Sequence, residues 1–159
     1  MFASGGCVDT VYQINVAKTE FREAYNTGDV ARLLDIFDDA AVDMSESSPS
    51  GFGARGKAGL GERAAGLFAE YSVRLVPIVI DIVPCGDRMF DYGWHEFTLT
   101  PKTGGPPVRL RQRYMELWTK GASGKWKILF YMNNQDVRNG FNGQLNTWFL
   151  SEAAATSNS

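Results

Sequence analysis

The stretch that decides the fold is RLRQRYMELWTKGASGKWKILFYMNNQD, Arg109–Asp136. Aromatic and branched residues fill both arms, and Gly121, Ser123 and Gly124 supply a turn, so it reads as two long strands joined in a hairpin. Side chains alternate across a strand. On the first arm Gln112, Tyr114, Glu116 and Trp118 therefore share a face. On the second, Leu129, Tyr131, Asn133 and Gln135 share one face, and Trp126, Ile128, Phe130 and Met132 the other. Neither face is plainly solvated. One suits a core or a partner, while the other mixes polar groups with aromatics as a pocket wall does.

Upstream of the hairpin, Arg88–Thr100 reads as a strand, with the turn Pro84–Asp87 before it and a loop over 101–107 after it. Ser72–Val83 is a further strand, with Ile78, Ile80 and Ile82 on one face and Val79 and Asp81 on the other. Pro77 places that strand at a sheet edge or at a bulge, because proline cannot donate to a ladder. Before the strands the spacing is helical. Val11, Ile14, Ala17, Phe21, Ala24 and Tyr25 mark a helix over about Asp9–Asn26. Gly28 is placed to end it and Asp29 to cap a second helix, Val30–Phe37. A short strand, Val42–Ser45, a Ser/Gly-rich loop over 46–59 and a helix over Leu60–Tyr71 complete the reading. Helices segregated against one antiparallel sheet make an α+β fold of a single domain, over about residues 9–150. The ends, 1–8 and 151–159, read as flexible termini, and Trp148, Phe149 and Leu150 are expected to dock on the body or on a second subunit.

Composition narrows the function. With 159 residues, 44% apolar and 21% charged, the chain can bury a substantial core, and a net charge of −2 offers no footprint for nucleic acid. The basic row Arg109, Arg111, Arg113 reads as a solvated or interface row. Two scattered cysteines and a single histidine, His95, do not outline a metal site, a disulfide framework or a nucleophile–histidine triad. No apolar run is long enough to span a membrane, and MFASGGCVDT lacks the features of a secretory signal, so a cytoplasmic protein is expected. Neither cofactor nor metal is expected.

Ala24–Met44, AYNTGDVARLLDIFDDAAVDM, resembles the opening of the nuclear transport factor 2-like superfamily, which includes ketosteroid isomerase, SnoaL-like polyketide cyclases, scytalone dehydratase and limonene epoxide hydrolase. YGWHEFTLT, RYMELWTK and GKWKILFYMNNQD look like its ketosteroid isomerase-like, calcium/calmodulin-dependent kinase II association-like branch. Together these segments span about Val11–Asp136. The resemblance implies a conical sheet curled around N-terminal helices, a pocket between them, and assembly as dimers or larger rings. Laid over the isomerase pattern, Phe90, Tyr92, Trp94 and Glu96 face the cavity; His95 alternates with Trp94 and Glu96 and is therefore expected to face outward, at a surface or dimer interface. The isomerase's own constellation is missing: its helix Tyr falls on Phe21, its base on Met44 (or Asp43 after a one-residue shift), and its protonated Asp near Arg113 or Tyr114.

Glu116 and Glu96 are the leading acid–base candidates, because desolvation among aromatics raises a carboxyl pKa towards neutrality. The alternative is a satisfied ion pair with Arg111, Arg113 or a strand lysine. Tyr92 and Tyr131 are candidate hydroxyl donors to an oxyanion, and Asp43 a base at the rim; each has a structural alternative as a core aromatic or a solvated acid. The expected substrate-binding wall is Phe21, Tyr25, Met44, Phe90, Trp94, Tyr114, Trp118, Leu129 and Asn133. The function that follows is a cofactor-independent lyase or isomerase acting on a small hydrophobic carbonyl or polyketide-like compound in a homodimer. The alternative is a non-catalytic binding or oligomerisation module.

Overall fold

The computed structural model describes residues 5–46 and 54–136. Its elements are α1 (Gly5–Thr27), α2 (Val30–Asp35), β1 (Phe37–Ser45), α3 (Ala54–Glu70), β2 (Tyr71–Cys85), β3 (Arg88–Pro101), β4 (Val108–Lys120) and β5 (Trp126–Gln135). One curled sheet carries all five strands in the order β1-β5-β4-β3-β2, with the helices against its inner face. The α+β cone expected from the sequence is the observed fold. One pairing is not antiparallel: β1 runs parallel to β5. The crossover through α3 carries the chain to the far edge, and the β2–β5 meander returns it beside β1. As Pro77 required, β2 is an edge strand.

The junction of α1 and α2 follows its local chemistry. Gly28 takes φ 67, and the amides of Gly28 and Asp29 bond back to the carbonyls of Tyr25 and Ala24. The Asp29 carboxylate then accepts from the amide of Arg32 at 2.9 Å, capping α2. Other boundaries move. β1 starts at Phe37 rather than Val42, α3 starts at Ala54 inside the stretch read as loop, and α2 stops at Asp35. The expected docking of Trp148, Phe149 and Leu150, and the expected flexible end 151–159, lie outside the described residues.

Three strand-face expectations are corrected. On β3 the inner face is Met89, Asp91, Gly93, His95, Phe97 and Leu99, so Phe90, Tyr92, Trp94 and Glu96 point to the outer face. Both faces of β3 carry aromatic or polar residues, and its parity is set by pairing with β4, where Asp91 lies opposite Glu116 and Gly93 opposite Tyr114. On β5 a register shift pairs Leu117 with Phe130 but Trp118 with Ile128, leaving Leu129 as the extra residue of a bulge. Ile128 thereby turns inward and is fully buried alongside Tyr131, while Leu129 is only half-buried. A second irregularity, between Val79 and Asp81 on β2, splits the isoleucine row: Ile80 is 49% exposed and Ile82 is buried.

Gly93 sits at the tightest backbone approach. A Cβ there would lie 2.0 Å from the carbonyl oxygen of Ile78. Gly66, inside α3, meets nothing within 4 Å. Gly93→Ala is therefore expected to lower the stability read from urea unfolding by more than ~2 kcal/mol. Gly66→Ala is expected to raise stability by about 0.5–1 kcal/mol, through helix propensity alone.

Candidate functional site

Four polar side chains are buried together beneath α1. The apolar stripe of α1 runs Ile14, Phe21, Ala24, and Lys18 falls on the same face. Its ammonium is 3.0 Å from Asp91 Oδ2 on β3 and 2.7 Å from Glu116 Oε2 on β4, and it lies 4.3 Å from the centroid of the Tyr114 ring. Asp91 also accepts from the Trp118 indole at 2.9 Å. Strand register produces this convergence, because Asp91 pairs with Glu116 across β3–β4 and Glu116 with Tyr131 across β4–β5. Asp91, His95 and Glu116 are fully buried, and Lys18 is 4% exposed. Two buried carboxyls facing one buried ammonium leave one charge uncompensated, so a proton is the economical remedy. Burial pushes the Glu116 carboxyl up to about 8, with the charge of Lys18 opposing the shift and that of Asp91 reinforcing it. With Glu116 protonated, one ammonium faces one carboxylate.

His95 connects this cluster to the interior space. Its ring is stacked on Tyr114 (centroids 4.0 Å apart, 9° between planes) and, on its other side of the core, approaches Phe21 at 5.3 Å. Burial, helped by the charge of Lys18, holds the imidazole well below its ordinary value, so it is neutral at pH 7. Nδ1 is 3.4 Å from the Tyr131 hydroxyl, and Nε2 is 4.0 Å from Glu116 Oε1. The Asn133 amide donates to the Tyr131 oxygen at 3.0 Å, which leaves the phenol's own hydrogen free to point at Nδ1. Asn133 is itself oriented, since its Oδ1 accepts from the amide of Glu46 at 3.3 Å. Burial also drives the Tyr131 and Tyr25 hydroxyls well above the ordinary phenol range, so both stay protonated.

Tyr131 and Asn133 form part of the wall of a cavity of about 80 Å³ between α1, β1, α3 and the inner sheet. Tyr25, Ser45, Arg63 and Gln112 supply the other polar groups, and Leu60, Phe97 and Leu110 are among the apolar ones. Arg63 forms an ion pair with Asp43, which is 3% exposed and also accepts from the amide (3.0 Å) and hydroxyl of Ser45. The space is thus lined by hydrogen-bonding groups, one of which, Tyr131, leads back through His95 towards Glu116.

A family profile, that of the SnoaL-like domain, matches residues 19–128. The chain belongs to the SnoaL-like domain family. Solved structures agree on the fold of this SnoaL-like domain. A ketosteroid isomerase-like protein from Erwinia carotovora atroseptica aligns at TM-score 0.68 and 22% identity, over 80% of this chain and 96% of that one. A protein of unknown function from Mycobacterium tuberculosis aligns at 0.69 and 16%, over 97% and 94%. A hexachlorocyclohexane dehydrochlorinase aligns at 0.67 and 14%, over 82% and 87%. No curated protein sequence matches.

In this SnoaL-like domain the sequence-derived candidates separate into two groups. Glu116, Tyr131, Tyr25, Phe21, Tyr114, Trp118, Asn133 and Asp43 are brought together around the cavity and the buried cluster. Glu96, Tyr92, Phe90 and Trp94 lie on the outer face, with Glu96 paired to Arg111 at 3.2 Å and the Arg111 guanidinium 4.7 Å from the centroid of the Trp94 ring. Met44 is 39% exposed, and Leu129 is outside the cavity wall. His95, expected at the surface, is at the centre. Lys18, Asp91 and Arg63 were missed. A signal existed for Lys18, which is in step with Ile14 and Phe21 at i, i+4, i+7. Asp91 is in step with Met89, Phe97 and Leu99, although the aromatic run on the opposite face of β3 competes with that reading.

Lys18→Met leaves two buried carboxyls without their cation and is expected to cost about 3–5 kcal/mol in urea unfolding, partly recovered by the double variant Lys18→Met/Glu116→Gln. Glu116 titrates near 8 folded and near 4.5 unfolded, so its contribution is complete below pH 4.5 and is lost as pH rises to about 8. His95 acts in the opposite sense, and only below its ordinary 6.5. Between pH 6.5 and 8 wild-type stability should therefore fall relative to Glu116→Gln, with the two curves converging towards pH 5 apart from a constant offset.

Proposed function

We propose that this SnoaL-like domain is a cofactor-independent lyase or isomerase that moves a proton next to the carbonyl of a small substrate. The observation that carries the reading is the Tyr131 hydroxyl, set in the cavity wall with an amide donor on its oxygen and a neutral imidazole behind it. A substrate C–H proton passes to the Tyr131 oxygen while the phenol's hydrogen passes to His95 Nδ1, and the C–H electron pair becomes the enolate. No free phenolate is required, which suits a hydroxyl whose ionisation burial opposes. Gln112 and the protonated Tyr25 are donors for the developing oxyanion. Glu116 Oε1 faces His95 Nε2 and, once ionised, stabilises the imidazolium that forms. Returning the proton at another carbon gives isomerisation; loss of a β-leaving group gives elimination. A cavity of about 80 Å³ favours the small-carbonyl end of the expected substrate range over a polyketide scaffold.

The test is NMR-monitored deuterium uptake at carbons next to the carbonyl, across a panel of small ketones and oxo acids. Wild-type protein is expected to accelerate uptake in at least one compound, and Tyr131→Phe to slow it by about 10²-fold or more. The wild-type rate should rise towards pH 8 as Glu116 ionises, a limb that Glu116→Gln removes. No acceleration of any panel member, or equal rates in wild type and Tyr131→Phe, counts against the reading.

An assembly module is the second reading, favoured by the outer sheet face. There Ile80 (49% exposed), Met115 (41%), Phe90, Tyr92, Trp94 and Met132 line an open groove of about 440 Å³. The homodimer expected from the resemblance is proposed to pair on this face. Sedimentation should then report a dimer that Met115→Lys weakens; a monomeric wild type removes the proposal.

A further inference from the structure

The cavity's charge pattern points to a narrower class of ligand. Arg63, on α3, is the one charged residue among the described residues lining the cavity, and the remaining wall is neutral. Its guanidinium is anchored rather than free. Nη2 contacts Asp43, and Asp43 is fixed in turn by the amide and hydroxyl of Ser45. Nη1 and Nε make no hydrogen bond among the described residues, and the side chain is 26% exposed. A guanidinium presents five donors in a planar fork and can hold carboxylates on more than one edge. Asp43 occupies one edge, so the other remains available to a ligand carboxylate.

Neutral donors complete the pattern. Gln112, Tyr25 and Asn133 suit a second oxygen, and Phe97 and Leu110 suit a short carbon chain. At about 80 Å³ the cavity is small, which restricts the ligand to a short one. We propose that the cavity is a binding site for a short oxo acid, its carboxylate on the open edge of Arg63 and its carbonyl among Gln112, Tyr25 and Asn133. As a statement about substrate class this rests on the proton-transfer reading above; as a statement about binding it stands separately.

The experiment compares 2-oxobutanoate with its uncharged isostere pentane-2,3-dione, using calorimetric titration for affinity and NMR deuterium uptake for turnover. Wild type is expected to bind the oxo acid about ten-fold or more tightly than the dione. Arg63→Gln should erase that preference. Because this change strands buried Asp43, the double variant Arg63→Gln/Asp43→Asn removes both charges and should erase it as well. Asp43→Asn alone should tighten the oxo acid and leave the dione unchanged, since the guanidinium then lacks its resident partner. Tyr131→Phe should keep the preference in affinity and lose deuterium uptake. Equal affinity for the two compounds in wild type, or a preference that survives in the folded double variant, overturns the inference. An intact preference without uptake in any compound overturns the enzyme reading and leaves the carboxylate site standing. Uptake from the dione as fast as from the oxo acid, with no preference in binding, does the reverse.

Discussion

The ammonium of Lys18 between Asp91 and Glu116 is the constraint on which the rest of the interior depends. Isolated ionised groups are not stable in a core, and each of these three is acceptable there only because of the other two. The triad ties α1 to β3 and β4 at one point and fixes the rotation of the helix over the sheet. It also leaves a surplus carboxyl whose proton is set by burial. A core with only apolar residues at those positions would pack the same elements without any group that titrates near neutrality.

The polar interior is layered. Nearest the helix is the charged triad, next comes His95 between aromatic rings, and then the Tyr131 hydroxyl at the cavity wall. Each layer sets the protonation of the next: Lys18 and burial keep His95 neutral, and the Asn133 donor turns the Tyr131 hydrogen towards it. Two backbone devices make the layering possible. Gly93 lets β2 and β3 approach where a side chain would collide with Ile78, and the bulge at Leu129 brings Ile128 and Tyr131 onto one face. Arg63 and Asp43 form a separate pair across β1 and α3, so the cavity has an electrostatic character distinct from that of the cluster behind it.

Much of this architecture was legible in the sequence because its signals are local. Helical spacing in α1, the Gly28–Asp29 junction, the edge position implied by Pro77 and the long final hairpin all rest on contacts within a few residues or on single-residue backbone limits. The resemblance carried by those same segments identified the cone. The face of β4 bearing Tyr114, Glu116 and Trp118 was also correct, since that strand alternates without interruption.

What only the tertiary structure decided is parity and partnership. β3 offers two chemically plausible faces, and its neighbours choose the one with Asp91 and His95, which moves Glu96 and Tyr92 to the outside. A bulge shifts a strand's alternation by one residue with no mark in composition, so Leu129 left the wall and Ile128 entered the core. The partner of Glu116 came from a helix 98 residues away in sequence. Alternation and helical period are properties of one segment. Register, bulges and ion pairs depend on how segments meet, and one chain read by itself determines the first set and leaves the second to packing.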